Sequence, residues 1–350
     1  MSKLVVASIG PASSVQDGGR QGSQRYGLTP SGAVDRLALA AANTLVGNAS
    51  LAAGIEIGPF GAAFTARGGA VRIALAGASR NADIAGRAVA IDTSTTLADG
   101  ETLTLGFARG GAFSYLAIEG GIAGEPMFGS LAVNARAGLG SPYPRPLQAG
   151  DELQTVAAGG AAEQRIELPA AEKGPIRVVL GPQDDEFSDD AKKLFLGSEW
   201  KISATSDRMG YRLEGPVIRH LHGHNIVSDG TVNGSIQVPG NGAPIVLMPD
   251  RGTSGGYPKI ATVISADLGR FAQTPAGKVF RFKAVGMAEA QAEARKLAQL
   301  LRALPDRLRS IDSFELNIEA LRDANVAGSA VSAVDIRTWQ TPSADALAQD

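Results

Sequence analysis

Short apolar runs, broken by glycine pairs and polar clusters, set the rhythm of this chain. Leu4-Val5-Val6-Ala7 reads as a strand, and Ser13 to Gly22 as a loop. Residues 33–46 read as the first helix, with Ser31 just before it as a candidate N-cap and Gly47 after it as a stop. From 51 to 155 the pattern is strand-like. Ile55–Ile57, Ala70–Leu75, Thr102–Leu105 and Tyr115–Ile118 are separated by turns such as Gly68-Gly69, Asp99-Gly100, Gly110-Gly111 and Gly120-Gly121. That spacing predicts a sandwich or barrel, not an alternating parallel α/β fold. Small and polar residues over 157–174 read as a linker. The second unit opens with a strand, Ile176–Leu180, broken by Gly181-Pro182, and then a short helix from Asp184 to Leu196. Strands follow to about residue 285, with a short helix expected over Ala261–Gln273. Met287, Ala290, Ala294, Leu297, Leu300 and Leu301 fall at helical spacing across 287–304, and Pro305 ends that helix. The expected organisation is a β-rich unit over 1–156, a linker over 157–174, a second β-rich unit over 175–285, and a helix and tail over 286–350.

Composition sharpens this picture in a few places. The 44 glycines in 350 residues exceed the usual share of ~7% and fit many tight turns. With 44% hydrophobic and 19% charged residues, the chain is not disordered as a whole. A net charge of −2 with no basic stripe argues against a nucleic-acid partner. There are no cysteines, which excludes disulfides, cysteine zinc sites, iron–sulfur clusters and thiol nucleophiles. No apolar run reaches the ~18 residues of a membrane helix, and the first residues do not read as a secretory signal. A cytoplasmic protein is the expectation.

Residues 205–258 pack polar side chains and glycines densely between strands. Thr253-Ser254-Gly255-Gly256-Tyr257-Pro258 is the sharpest local feature. Adjacent glycines let backbone N–H groups converge on an anion, and such donors stabilise charge developing on an oxygen. A tight turn needing positive φ explains the same residues. Asp250 and Asp229 flank this region as candidate acid–base carboxylates, or as Asx turns. Gln237, between Ile236 and Val238, faces either solvent or a barrel lumen. His220, His222 and His224 share one face if they lie on a strand, which suits a divalent metal, a general base or a plain surface loop. In the first half, Gln16-Asp17-Gly18-Gly19-Arg20 offers an arginine able to bind a carboxylate, and Asp35 sits at the start of the first helix. No Walker loop, dinucleotide-binding glycine motif or nucleophile elbow is present.

Several motifs, in order, resemble one family. Gly10-Pro11, Ser14 to Arg20, Ser31 to Asp35 and Ala42 to Asn48 resemble the opening of the biotin-dependent carboxyltransferase family, also called the allophanate hydrolase subunit 2 or KipI-antagonist family. The strings AGLGSPYPRPLQAGDEL, SDRMGYRLEG, SDGTVNGSIQVPGNGAPIVLMPD and GGYPKIATVISADL continue the match, which covers most of residues 1–285. The sequence departs at Gly252, which stands where the family carries an amide, and at Ser254, which replaces a Thr. The resemblance implies a mainly β fold with a few helices and cyclophilin-like β-barrel architecture. It implies a small amide or lactam substrate and a KipI-like partner. It offers three roles: a 5-oxoprolinase subunit working with B-type and A-type subunits, a carboxyltransferase taking its group from carboxybiotin, or a regulator of a kinase inhibitor. The chain carries no Met-Lys-Met biotinylation motif, so ATP or carboxybiotin would reach it through partner subunits. A free-standing chain of this length fits the 5-oxoprolinase role, as an enzyme subunit inactive alone. The expected catalytic residues are Asp250, Thr253, Ser254, Gly255, Gly256 and Tyr257. The expected substrate-binding residues are Gln237, Ser228, Arg208, Tyr211, Gln16, Asp17 and Arg20, with no metal ligand among them.

Overall fold

The computed structural model describes residues 2–155 and 158–311. The first half contains β1 (Lys3–Ile9), β2 (Ser14–Gln16), α1 (Arg36–Leu45), β3 (Gly54–Ile57), β4 (Ala62–Arg67), β5 (Val71–Ser79), β6 (Ala82–Ile84), β7 (Arg87–Ala88), β8 (Thr93–Leu97), β9 (Thr102–Leu105), β10 (Arg109–Ile118) and β11 (Glu152–Gln154). The segment expected to be a linker carries β12 (Gln164–Ile166). The second half contains β13 (Ile176–Leu180), α2 (Asp189–Gly197), β14 (Trp200–Ile202), β15 (Gly210–Glu214), β16 (Asp229–Gly230), β17 (Ser235–Gln237), β18 (Ile245–Leu247), β19 (Ser254–Gly255), β20 (Lys259–Val263), α3 (Leu268–Ala272), β21 (Val279–Phe280) and β22 (Phe282–Ala284). After α4 (Met287–Arg302), β23 (Leu308–Ser310) ends the described chain. The fold is mainly β with a few helices, as expected.

The first half builds two sheets, ordered β11-β1-β4-β9-β6-β7 and β2-β3-β10-β5-β8-β12-β23. The consecutive pairs β1/β2, β3/β4, β5/β6 and β9/β10 each place one strand in either sheet, so the chain turns corners between the layers. Side-chain alternation in β5 and β10 divides two cores. Ile73, Leu75, Leu116 and Ile118 join Leu4, Ile55 and Phe64 between the sheets. Ala74, Ala76 and Ala117 point the other way, towards α1, whose own face is Ala38, Leu39, Ala41 and Ala42. Small residues on both partners let the helix lie close.

The second half forms one eight-stranded sheet, β21-β14-β15-β18-β17-β20-β13-β22. Its two edges, β21 and β22, are neighbours in sequence separated by Arg281 alone, so the sheet nearly closes into a barrel. Trp200, Phe195, Ile236, Val246 and Ile260 fill it.

Local differences from expectation have simple causes. Asp35, not Ser31, caps α1: its carboxylate accepts from Ala38 N at 3.1 Å. Ser31 instead has a φ of 53° in a tight loop. Residues 261–263 are strand rather than helix, because β20 pairs with both β13 and β17, and the helix there shrinks to α3. The expected 184–196 helix splits into a 3-10 turn at Asp184–Glu186 and α2, capped by Ser188.

Candidate functional site

A buried ionic bridge joins the two halves. Arg208, in the turn before β15, reaches Asp250 through Nε at 2.9 Å and Nη2 at 3.2 Å, and also bonds the Glu56 carboxylate. Its Nη2 donates to the Gly32 carbonyl at 2.7 Å. Glu56, wholly buried on β3, also accepts from Val34 N at 2.9 Å and from the Tyr115 hydroxyl at 2.7 Å. Tyr115 is its register partner across β3 and β10, so the two side chains share a face by construction. Burial works against the Arg208 charge, but Glu56 and Asp250 outweigh it and hold the guanidinium above its ordinary value. Every donor direction of Arg208 named here points at protein. This fixes Asp250 at the root of the 250–258 loop.

That loop has two faces. Arg251, buried, donates to the Thr231 carbonyl at 3.3 Å and lines a cleft of about 1590 Å³ together with Ser31, Asn233 and Pro249. Residues 252–258 do not line that cleft. Ser254 and Gly255 form β19, paired with Asp229 and Gly230 of β16. Thr253 O accepts from Thr231 N at 3.1 Å, and Gly256 O from Ile226 N at 2.9 Å. Neither Gly255 nor Gly256 has a left-handed φ. The pair is therefore not a positive-φ turn, and it lacks the alternating backbone of an anion nest. A Cβ at Gly255 would meet Gln237 Nε2 at 2.3 Å, so any side chain there displaces that amide. The Gln237 amide packs against the Gly255 backbone and reaches the Tyr257 carbonyl at 3.5 Å. Gln237 faces the loop, neither free solvent nor an open lumen. Ser228 and Tyr257 are exposed at its rim, and the Ser228 hydroxyl is 3.8 Å from where a Gly256 Cβ would be.

Beneath this loop lies a residue that sequence reasoning missed. Lys259, at the start of β20, is 1% exposed, and its ammonium meets Asp229 Oδ2 at 2.8 Å. Gln183 ties the pair together: its Nε2 donates to Asp229 at 3.0 Å, and its Oε1 accepts from Lys259 N at 3.2 Å. The Lys259 hydrogen bond, then those from Gln183 and Gly230 N, hold the Asp229 carboxyl at about 2. Lys259 is the register partner of Gln237. The sequence signal is a lysine near the head of a mostly apolar run, Pro258 to Ile264, where a core strand would not place a charge.

The remaining expected residues serve the frame. Gln16 is fully buried: its amide N–H groups donate to Ser14 Oγ and Val133 O, and its side-chain oxygen accepts from Gly32 N. Asp17 accepts from Gly19 N, Ser130 Oγ and Leu131 N, each at 2.7 Å. Arg20, fully buried, holds the Met127 and Ala132 carbonyls; burial lowers its pKa, and the Asp17 and Asp250 charges oppose this. Tyr211 lies in the core with its hydroxyl on Ala272 O at 3.1 Å, and burial pushes its pKa up. His220 bonds Val238 O at 2.9 Å and packs on Phe187, with His224 6.4 Å away between ring centres. These three histidines do not converge, and no group of three or more possible metal ligands occurs among the described residues. No helix among them is long and apolar enough to cross a membrane.

Residues 26–284 match the family model of the carboxyltransferase domain, subdomain A and B. The chain is 36% identical over 293 residues to the C-type subunit of 5-oxoprolinase from Escherichia coli (strain K12), covering 82% of this chain and 93% of that one. Among solved structures, it is similar to the K. lactis urea amidolyase, with a TM-score of 0.80, 26% identity, and coverage of 86% of this chain and 20% of that chain. It is also similar to a protein designated TTHA0988, with a TM-score of 0.73 and 31% identity, covering 81% of this chain and 56% of that one. The chain thus spans less than two thirds of either solved relative.

Proposed function

This chain belongs to the carboxyltransferase-domain family, and from that premise we propose that it is the C-type subunit of an ATP-dependent 5-oxoprolinase. The observation that carries the reading is the identity to the Escherichia coli 5-oxoprolinase component along 93% of that protein's length. In this role it works with a KipI-like B-type subunit and an A-type subunit in the cytoplasm, and ATP enters through those partners. The reaction opens the lactam of 5-oxoproline: the ring C–N bond breaks, water supplies the new carboxyl oxygen, and the freed nitrogen takes up protons.

The candidate site is the 250–259 loop region. Asp250, anchored by Arg208, sets the loop's position. Gln237, packed under Gly255, orients a substrate amide, while Ser254, Ser228 and Tyr257 form the exposed rim. Thr253 holds the loop to Thr231 through its backbone. Arg208, Gln16, Asp17, Arg20 and Tyr211 support this arrangement from within.

The test is release of ADP and glutamate from ATP and 5-oxoproline by this chain co-expressed with its B-type and A-type partners. Release that vanishes when this chain is omitted is the expected result. A well-formed complex that releases neither would overturn the reading in favour of carboxyl transfer from carboxybiotin to urea or a related amide. The likeness to the K. lactis urea amidolyase supports that second role. Gly252 would then be the first position to change.

A further inference from the structure

A lysine whose side chain is 1% exposed needs an explanation. Taking an ammonium out of water costs several kcal/mol, offset only where its hydrogen bonds are met. Lys259 has three N–H donors, and among the described residues Asp229 is the one acceptor they meet. A leucine or methionine would pack in β20 without that cost. The partner is also unusual. Asp229 is 51% exposed and sits on the two-residue strand β16, so the cover over the ammonium is a solvated side chain on a short surface ladder. Gln183 is partly exposed beside it, Gln237 stands opposite Lys259 in register, and Gly255 lies across the ladder from Asp229. Buried charge, two amides and a removable carboxylate therefore meet at one place.

We propose that Lys259 is the cationic floor of a binding site for a substrate carboxylate or for an amide oxygen gaining negative charge. Asp229 is its resident counter-ion and turns out to solvent when the substrate oxygen takes its place. Gln183 and Gln237 supply amide N–H donors to the same group. The substrate class is a small amide or lactam that carries a carboxylate, and this choice rests on the function proposed above. The exchange is non-covalent: one oxygen anion replaces another on the ammonium, and Asp229 regains its hydration.

The experiment uses the assembled complex, with L-5-oxoproline, 2-pyrrolidinone (the lactam without a carboxylate) and acetate as probes. Binding is followed by titration calorimetry and KM by glutamate release. Lys259→Met is expected to weaken L-5-oxoproline binding by at least about tenfold, the worth of one charge-assisted hydrogen bond. Asp229→Asn removes the competing anion and is expected to hold or tighten binding. A structural ion pair would make both variants lose stability and binding together, so equal losses overturn the proposal. So does a folded Lys259→Met complex that binds as the wild type does, or a wild type that binds none of the three probes. If the complex binds acetate through Lys259 but does not turn over 5-oxoproline, the site stands and the 5-oxoprolinase reading fails.

Discussion

Replacing Arg208 by methionine removes the cation from between two carboxylates while keeping most of its apolar stem. Glu56 is then left wholly buried, with Val34 N and the Tyr115 hydroxyl as its remaining partners. Asp250, 12% exposed, loses both of its guanidinium bonds. Breaking a buried pair in this way costs about 3–5 kcal/mol, because the stranded charge has no water to return to. At roughly 2.1 cal/mol/K per residue over residues 1–311, a 4 kcal/mol loss lowers Tm by about 6 °C. Urea unfolding followed by circular dichroism at pH 8 measures the loss. A loss below about 1 kcal/mol there would show that the bridge does not hold the halves together.

Two further substitutions probe separate regions. Gly255→Ala puts a methyl group against the Gln237 amide at a residue with no left-handed φ, so the fold should lose no more than about 1 kcal/mol. The complex should lose most of its turnover, and full activity in a folded variant would remove Gln237 from the site. Asp92 has a φ of 60°, and burial, aided by the Asp35 charge and opposed by a bond from the Gly77 backbone, raises its carboxyl to about 6. Between about pH 4 and 6 the folded state holds this proton and the unfolded chain does not, so stability falls as pH rises through that window. Asp92→Asn keeps the shape, tolerates the left-handed backbone and should gain about 1–2 kcal/mol above pH 6. Thermal melts at pH 4 and pH 8 check this; the same gain at both would refute it.

Much of the frame was legible because it is written in local patterns. Thr102–Leu105 and Ile176–Leu180 are strands with the bounds that their apolar runs and flanking turns suggested. Helix α4 follows the apolar spacing of Met287 to Leu301, and Pro305 lies just beyond it. The helix expected from Ala261 started too early: Thr262, Val263 and Ile264 are β-branched and suit a strand, and β20 pairs there with β13 and β17. The site was half legible. Motif order singled out Asp250, Gln237 and the loop to Pro258, and the structure brings these together. What the sequence alone did not reveal was partnership across distance. Nothing near Arg208 announces Glu56, 152 positions away. The buried Lys259 is explained only by Asp229, on a strand too short to read from its residues.

The seven-stranded sheet begins with β2, near the start of the chain, and ends with β23, which pairs with β12 after the entire eight-stranded sheet has been traversed. During synthesis the first half must therefore wait. Until residues 308–310 leave the ribosome, β12 is an open edge, inviting a neighbouring nascent chain to dock there instead. The order of emergence makes completion of the first sheet the last structural event among the described residues. A message cut short within α4 would release a polypeptide holding every residue of the candidate site, yet without β23.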